Sequence, residues 1–100
     1  MSKIMIVDDD PNIRELVSAL LQNHGFEACE AADGRNALQK MTNDNPDMVI
    51  IDIMMPNMDG FELCRNLRKY YENMPILVLT AKGELASKVK CKVFPFYSYK

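Results

Sequence analysis

Hydrophobic and polar positions alternate along this chain in blocks rather than residue by residue. Ile4 to Val7 is a short apolar run, Met48 to Ile51 reads Met-Val-Ile-Ile, and Ile76 to Leu79 reads Ile-Leu-Val-Leu. Continuous apolar strands are what a parallel sheet covered on both faces requires. Between them the period lengthens to that of a helix. Asp10 stands at an N-cap position before Pro11, and Ile13, Leu16, Val17, Leu20 and Leu21 follow at offsets that share one helical face, with Gly25 as the stop. Phe26 to Ala31 predicts a second strand. Asp33-Gly34 then opens a helix through Ala37, Leu38 and Met41, which ends at the Asn43-Asp44-Asn45-Pro46 breaker. Asp59-Gly60-Phe61-Glu62 has capping-box spacing and predicts a helix burying Leu63, Leu67, Tyr70 and Tyr71. A weaker helix is predicted over Lys82 to Lys90, with Leu85 and Val89 on one face and Glu84 four residues before Lys88 on another.

The order βαβαβαβα with short connections predicts an α/β fold, a doubly wound parallel sheet with right-handed crossovers in a three-layer sandwich. In such sheets the binding crevice lies outside the carboxyl ends of the strands, so the residues that follow each strand carry the functional question.

Composition narrows the classes. In 100 residues, 12 Lys+Arg against 14 Asp+Glu leave a net charge of −2, without the basic excess of a surface that neutralises nucleic-acid phosphates. Direct nucleic-acid binding is therefore not expected. No apolar run approaches the ~20 residues of a membrane span, and Met1 to Met5 lacks the build of a signal peptide, so the expected location is cytoplasmic. Cys29, Cys64 and Cys91 form no C-x-x-C pair, and one histidine, His24, offers no companion ligands. They are expected to be unbridged, buried or half-buried thiols, and His24 a surface or capping residue at the end of its helix.

The first strand runs into Asp8-Asp9-Asp10, the third into Asp52 and the fourth into Thr80. Were these strands neighbours, Asp8, Asp9 and Asp52 would meet at one edge with a hydroxyl beside them. Each residue alone has an ordinary explanation: a polar loop in which Asp10 caps a helix, and a turn at Asp52. Yet Asp52 follows four apolar residues of a central buried strand, where a carboxylate is costly without a partner. Three converging carboxylates need a proton or a cation. Mg²⁺, with its preference for oxygen ligands and phosphoryl groups, suits the set.

Ile6-Val7-Asp8-Asp9-Asp10, Ala31-Ala32-Asp33-Gly34, Asp52-Ile53-Met54-Met55-Pro56-Asn57-Met58-Asp59-Gly60 and Val78-Leu79-Thr80-Ala81 together resemble the receiver domain of two-component response regulators, in order over residues 2–90. The resemblance implies a flavodoxin-like fold and a phospho-acceptor function. By the same likeness Asp52 is the acceptor, taking a phosphoryl group from a sensor histidine kinase, a phosphotransfer protein or a small donor. Asp9 is implied as a direct Mg²⁺ ligand, Asp8 as its acidic partner, and Met54 as a backbone carbonyl ligand. Thr80 is implied as the hydroxyl that contacts the phosphoryl group. Such a domain catalyses only its own phosphorylation and dephosphorylation. An enzyme acting on a separate substrate is not expected: Met54 stands where the aspartate-based phosphatases carry an acid, and no G-x-x-x-x-G-K-[ST] loop is present.

The likeness fades after residue 90. The family continues with a glycine-alanine-aspartate turn, a fifth strand, a lysine followed by proline, and a last helix. Here Cys91 to Lys100 reads Cys-Lys-Val-Phe-Pro-Phe-Tyr-Ser-Tyr-Lys, and four of the eight aromatic residues fall in the last seven positions. The expected organisation is an incomplete receiver domain over 1–90 and an atypical aromatic tail over 91–100, from truncation, an altered reading frame or an unrelated tail, with the last helix missing and the fifth strand left open. Tyr97 and Lys100 keep the family's three-residue spacing between an aromatic switch residue and a phosphate-binding lysine, although no proline follows. Without a last helix, one face of strands three and four is expected to lie open, covered by self-association or by the tail. A second function stays in view: a receiver-like interaction module that self-associates through that face without phosphorylation.

Overall fold

Strands β1 (Lys3–Val7), β2 (Glu27–Ala31), β3 (Met48–Asp52), β4 (Ile76–Thr80) and β5 (Lys90–Val93) hydrogen-bond in the order β2-β1-β3-β4-β5. The computed structural model describes residues 2–52, 60–80 and 90–93. The first four strands are parallel, and helices α1 (Pro11–Asn23), α2 (Gly34–Asp44) and α3 (Gly60–Tyr70) cross between them. The reversal of strand order between β1 and β3 marks the crevice of a doubly wound sheet.

Local chemistry explains the helix ends. The Asp10 carboxylate accepts from the Asn12 N–H at 2.9 Å and caps α1, with Pro11 in its first turn. At the far end the His24 ring lies 2.8 Å from the Leu20 carbonyl, and Gly25 takes φ +89°, a conformation that favours glycine. Asp33 caps α2 by accepting from the Asn36 N–H at 2.8 Å, while the Asn36 side chain accepts from the Ala32 N–H at 3.0 Å. This reciprocal pair satisfies two donors that the helix start would otherwise leave bare. Asn45, at φ 46°, closes the same helix.

The core lies on one face of the sheet. Parallel pairing sets Met5, Val49 and Ile76 in one row and Val7, Ile51 and Val78 in the next, all buried beneath Ala37 and Met41 of α2 and Leu63, Cys64 and Leu67 of α3. Each such large side chain contributes about 1.5–3 kcal/mol by leaving water. The opposite face carries Ile4, Ile6, Ile50 and Leu77. Ile4 and Ile6 are buried, whereas Ile50 and Leu77 are only half-buried.

Helix α1 sits over the β2 side of that second face and is held by polar bonds as well as packing. Arg14 pairs with Glu30 of β2 at 3.1 Å, and the Ser18 hydroxyl donates to the same carboxylate at 3.2 Å. Ser18 is the buried residue of this helix, with Arg14, Val17 and Leu21 half-buried beside it. The apolar stripe expected to face the sheet is therefore split. Ile13, Leu16 and Leu20 stay 40%, 57% and 50% exposed. Helix α3 departs from expectation at its end: Tyr70 is 74% exposed, while Tyr71, just past the helix, packs against the core.

A fifth strand exists, and its direction differs from the other four. β5 runs antiparallel to β4, with Thr80 opposite Lys90 and Leu77 opposite Val93. Lys90 thus belongs to a strand rather than to the end of the helix expected over 82–90, whose other residues lie outside the described ones.

Candidate metal centre

Parallel register assembles the acidic residues. Ile6 pairs with Ile50 and Val7 with Ile51, so the residue that follows β1, Asp8, arrives beside Asp52 at the end of β3. The Asp8 N–H donates to the Ala31 carbonyl at 3.2 Å, which carries the β1 backbone one residue further along β2. The Asp8 carboxylate accepts from the Asp10 N–H at 2.9 Å, turning the chain back toward the start of α1. Three residues separated in sequence thereby converge: one carboxylate oxygen each from Asp8, Asp9 and Asp52 lies within 4.8 Å of the others.

Their surroundings differ. Asp8 is buried, Asp52 half-buried and Asp9 exposed. Burial raises the Asp8 pKa above its ordinary 3.8; the Asp10 N–H opposes this, and the charges of Asp52 and Asp9 add to it. A buried carboxyl that resists ionisation, ringed by two others, is a site where a hard cation lowers the energy of the charged form. An all-oxygen donor set of this kind fits Mg²⁺ and excludes the soft thiolate chemistry of zinc or copper centres.

The site residues expected from the sequence divide by place. Asp8, Asp9 and Asp52 come together as expected. Thr80 ends β4 at the same edge of the sheet, one residue beyond the Leu79 that pairs with Asp52. Met54, Tyr97 and Lys100 lie outside the described residues.

One element of the site has no counterpart among those expectations. The Arg14 guanidinium donates to the main-chain oxygen of Asp8 at 2.6 Å while its Nε donates to Glu30. It pins the loop that carries Asp8 and Asp9 to both α1 and β2. The available signal was a lone cation amid the apolar positions of α1, four residues after the Asp10 cap.

Comparison with known proteins gives the arrangement its family. The response regulator receiver domain model matches residues 4–98. Response regulator MprA of Mycolicibacterium vanbaalenii is 44% identical over 87 residues, which are 87% of this chain and 38% of that protein. The alkaline phosphatase synthesis transcriptional regulatory protein PhoP of Bacillus subtilis is 41% identical over 87 residues, 87% of this chain and 36% of its own length. The chain thus spans little more than a third of these curated relatives. Among solved structures, the response regulator TrrA of Thermotoga maritima, in complex with Mg²⁺-BeF, superposes with a TM-score of 0.79 at 42% identity, covering 88% of this chain and 76% of that one. Chemotaxis protein CheY4 of Vibrio cholerae gives 0.79 at 42% identity, covering 88% and 75%. With its strand order, its convergent aspartates and a family match over nearly its whole length, the chain belongs to the response regulator receiver domain family.

Proposed function

We propose that this chain is a phospho-acceptor of two-component signalling, in which Asp52 takes a phosphoryl group from a histidine kinase or a phosphotransfer protein. The convergence of Asp8, Asp9 and Asp52 at the carboxyl edge of a receiver fold carries the reading. The TrrA structure, solved with Mg²⁺-BeF, lends it support from a relative.

An Asp52 carboxylate oxygen attacks phosphorus in line with the scissile P–N bond of a phosphohistidine. The new O–P bond makes an acyl phosphate, the P–N electron pair returns to the imidazole, and the imidazole takes up a proton from water. Asp52 is half-buried, so part of its surface stays accessible to the donor. Asp8, Asp9, Asp52 and the main-chain carbonyl of Met54 would hold Mg²⁺. When bound, the ion neutralises the carboxylates and the incoming phosphoryl oxygens. Asp8 is kept in place by the Asp10 N–H and, through its own carbonyl, by Arg14. Thr80 offers a hydroxyl donor to a phosphoryl oxygen from the end of β4. Hydrolysis of the acyl phosphate returns Asp52 to its starting state, which makes the signal transient.

Phosphoramidate or acetyl phosphate with Mg²⁺, followed by intact mass measurement, tests the reading. The expected result is a gain of one phosphoryl group that disappears with EDTA and in Asp52→Asn. A wild-type mass unchanged under conditions that phosphorylate a control receiver would overturn it.

A further inference from the structure

Both ends of the Asp8 main chain are tied to β2. Its N–H donates to the Ala31 carbonyl at 3.2 Å. Its carbonyl is joined to the Glu30 carboxylate through Arg14, which donates to the first at 2.6 Å and to the second at 3.1 Å. The carbonyl bond matters beyond Asp8, because that oxygen belongs to the planar peptide whose N–H is that of Asp9. Asp9 is exposed, so the tilt of this peptide largely sets where its carboxylate points.

Glu30 is itself held from both neighbouring helices. Arg14 and Ser18, four residues apart on α1, reach different oxygens of its carboxylate, Nε at 3.1 Å from Oε1 and Oγ at 3.2 Å from Oε2. Lys40 of α2 donates to its main-chain oxygen at 2.7 Å. An unpaired arginine samples many rotamers, and a carboxylate clamped in this way selects the one that meets the Asp8 carbonyl. Attraction alone does not account for the arrangement. The two side chains are 17% and 41% exposed, and a pair so placed adds little to stability.

We propose, resting on the phospho-acceptor reading of the site, that Glu30 is a positioning residue for it. By fixing the Arg14 guanidinium, Glu30 fixes the Asp8–Asp9 peptide, and with it the aim of the carboxylates that receive Mg²⁺. It acts through Arg14 rather than on the metal. Mg²⁺ demands near-octahedral ligands, so a small error in the direction of Asp9 costs affinity.

Calorimetric Mg²⁺ titration of the full chain tests the assignment. Glu30→Ala is expected to weaken Mg²⁺ binding about tenfold. Glu30→Gln, which keeps an acceptor for Arg14 and turns its amide to Ser18, should stay within about twofold of the wild type. In an Arg14→Met background, Glu30→Ala should change the affinity by less than about twofold, because no guanidinium is left to place. With EDTA in place of metal, Glu30→Ala should speed exchange of the Asp8 amide about threefold or more relative to that of Val7, and Glu30→Gln should not. Equal losses in the Ala and Gln variants would mark lost charge rather than lost position, and equal losses in both Arg14 backgrounds would mark a route that bypasses Arg14. Either result overturns the proposal, as does unchanged Mg²⁺ affinity in Glu30→Ala. A wild type that binds Mg²⁺ yet takes no phosphoryl group from acetyl phosphate counts against the phospho-acceptor function and not against Glu30, whose effect is read from Mg²⁺ affinity and metal-free exchange.

Discussion

Arg14 donates to the main-chain oxygen of Asp8 at 2.6 Å, and this bond couples the first helix to the acidic edge. The same guanidinium pairs with Glu30, so one side chain joins α1, β2 and the loop of the carboxylates. Removing it takes a charged donor from a backbone carbonyl and a partner from Glu30.

Arg14→Ala is therefore expected to lower stability by about 1–2 kcal/mol, since the ion pair is partly exposed and only the carbonyl bond is well shielded. It should also weaken cation affinity, because Asp8 and Asp9 lose their anchor. Urea unfolding and Mg²⁺ titration of the same variant measure the two effects. Arg14→Lys should restore little, because one ammonium nitrogen cannot span the Asp8 carbonyl and Glu30 as the two guanidinium nitrogens do.

The Asp8 carboxyl supplies a pH dependence with a definite sign. Its folded-state pKa lies above 3.8, chiefly through burial, so the folded protein holds this proton more tightly than the unfolded chain. In the absence of divalent cations, its contribution to stability is therefore present at low pH and declines as pH rises through the window above 3.8. Mg²⁺ competes for the same oxygens, so it should raise Tm at pH 7 and have little effect near pH 4. Asp8→Asn in EDTA should be more stable than the wild type at pH 7 and should gain less from added Mg²⁺. Thermal melts at both pH values, with Mg²⁺ and with EDTA, give the comparison.

Core and surface positions of α3 should respond very unequally. Leu67 is fully buried, so Leu67→Ala is expected to cost about 2–5 kcal/mol. Tyr70 is 74% exposed, and Tyr70→Ser should stay within about 0.5 kcal/mol of the wild type. Chemical denaturation of the two variants decides whether α3 ends where the structure ends it.

Cys29 is half-buried, and burial pushes its thiol up to about 11. At pH 8 it should react with iodoacetamide far more slowly than a thiol in the urea-unfolded chain, because the thiolate is the nucleophile. Peptide mapping by mass spectrometry separates it from the other cysteines. Comparable labelling of Cys29 in native and unfolded protein would contradict the burial.

Legibility in the sequence followed the range of the interaction. The Asp10 cap, the helix start at Asp33-Gly34, the stop at Gly25 and the apolar runs of β1, β3 and β4 act within one turn or one strand, and all were readable. The convergence of Asp8, Asp9 and Asp52 was readable as well, because parallel pairing of apolar strands leaves few places for the residue that follows each one. Tyr70 was misplaced because helical spacing marks a face without saying where the neighbouring element ends. Arg14 was missed because its two partners, Asp8 and Glu30, lie in different elements.

By itself, then, the sequence determined the alternation of strand and helix over β1 to β4, the ends of α1 and α2 and the acidic residues at the strand ends, since propensity, capping and local pattern settle each within a few residues. Tertiary structure alone decided which half of the α1 stripe meets the sheet, how Arg14 braces the Asp8 loop, and that β5 runs antiparallel to β4. Those outcomes depend on which distant groups compete for the same space and the same hydrogen bonds, and no local period encodes that competition.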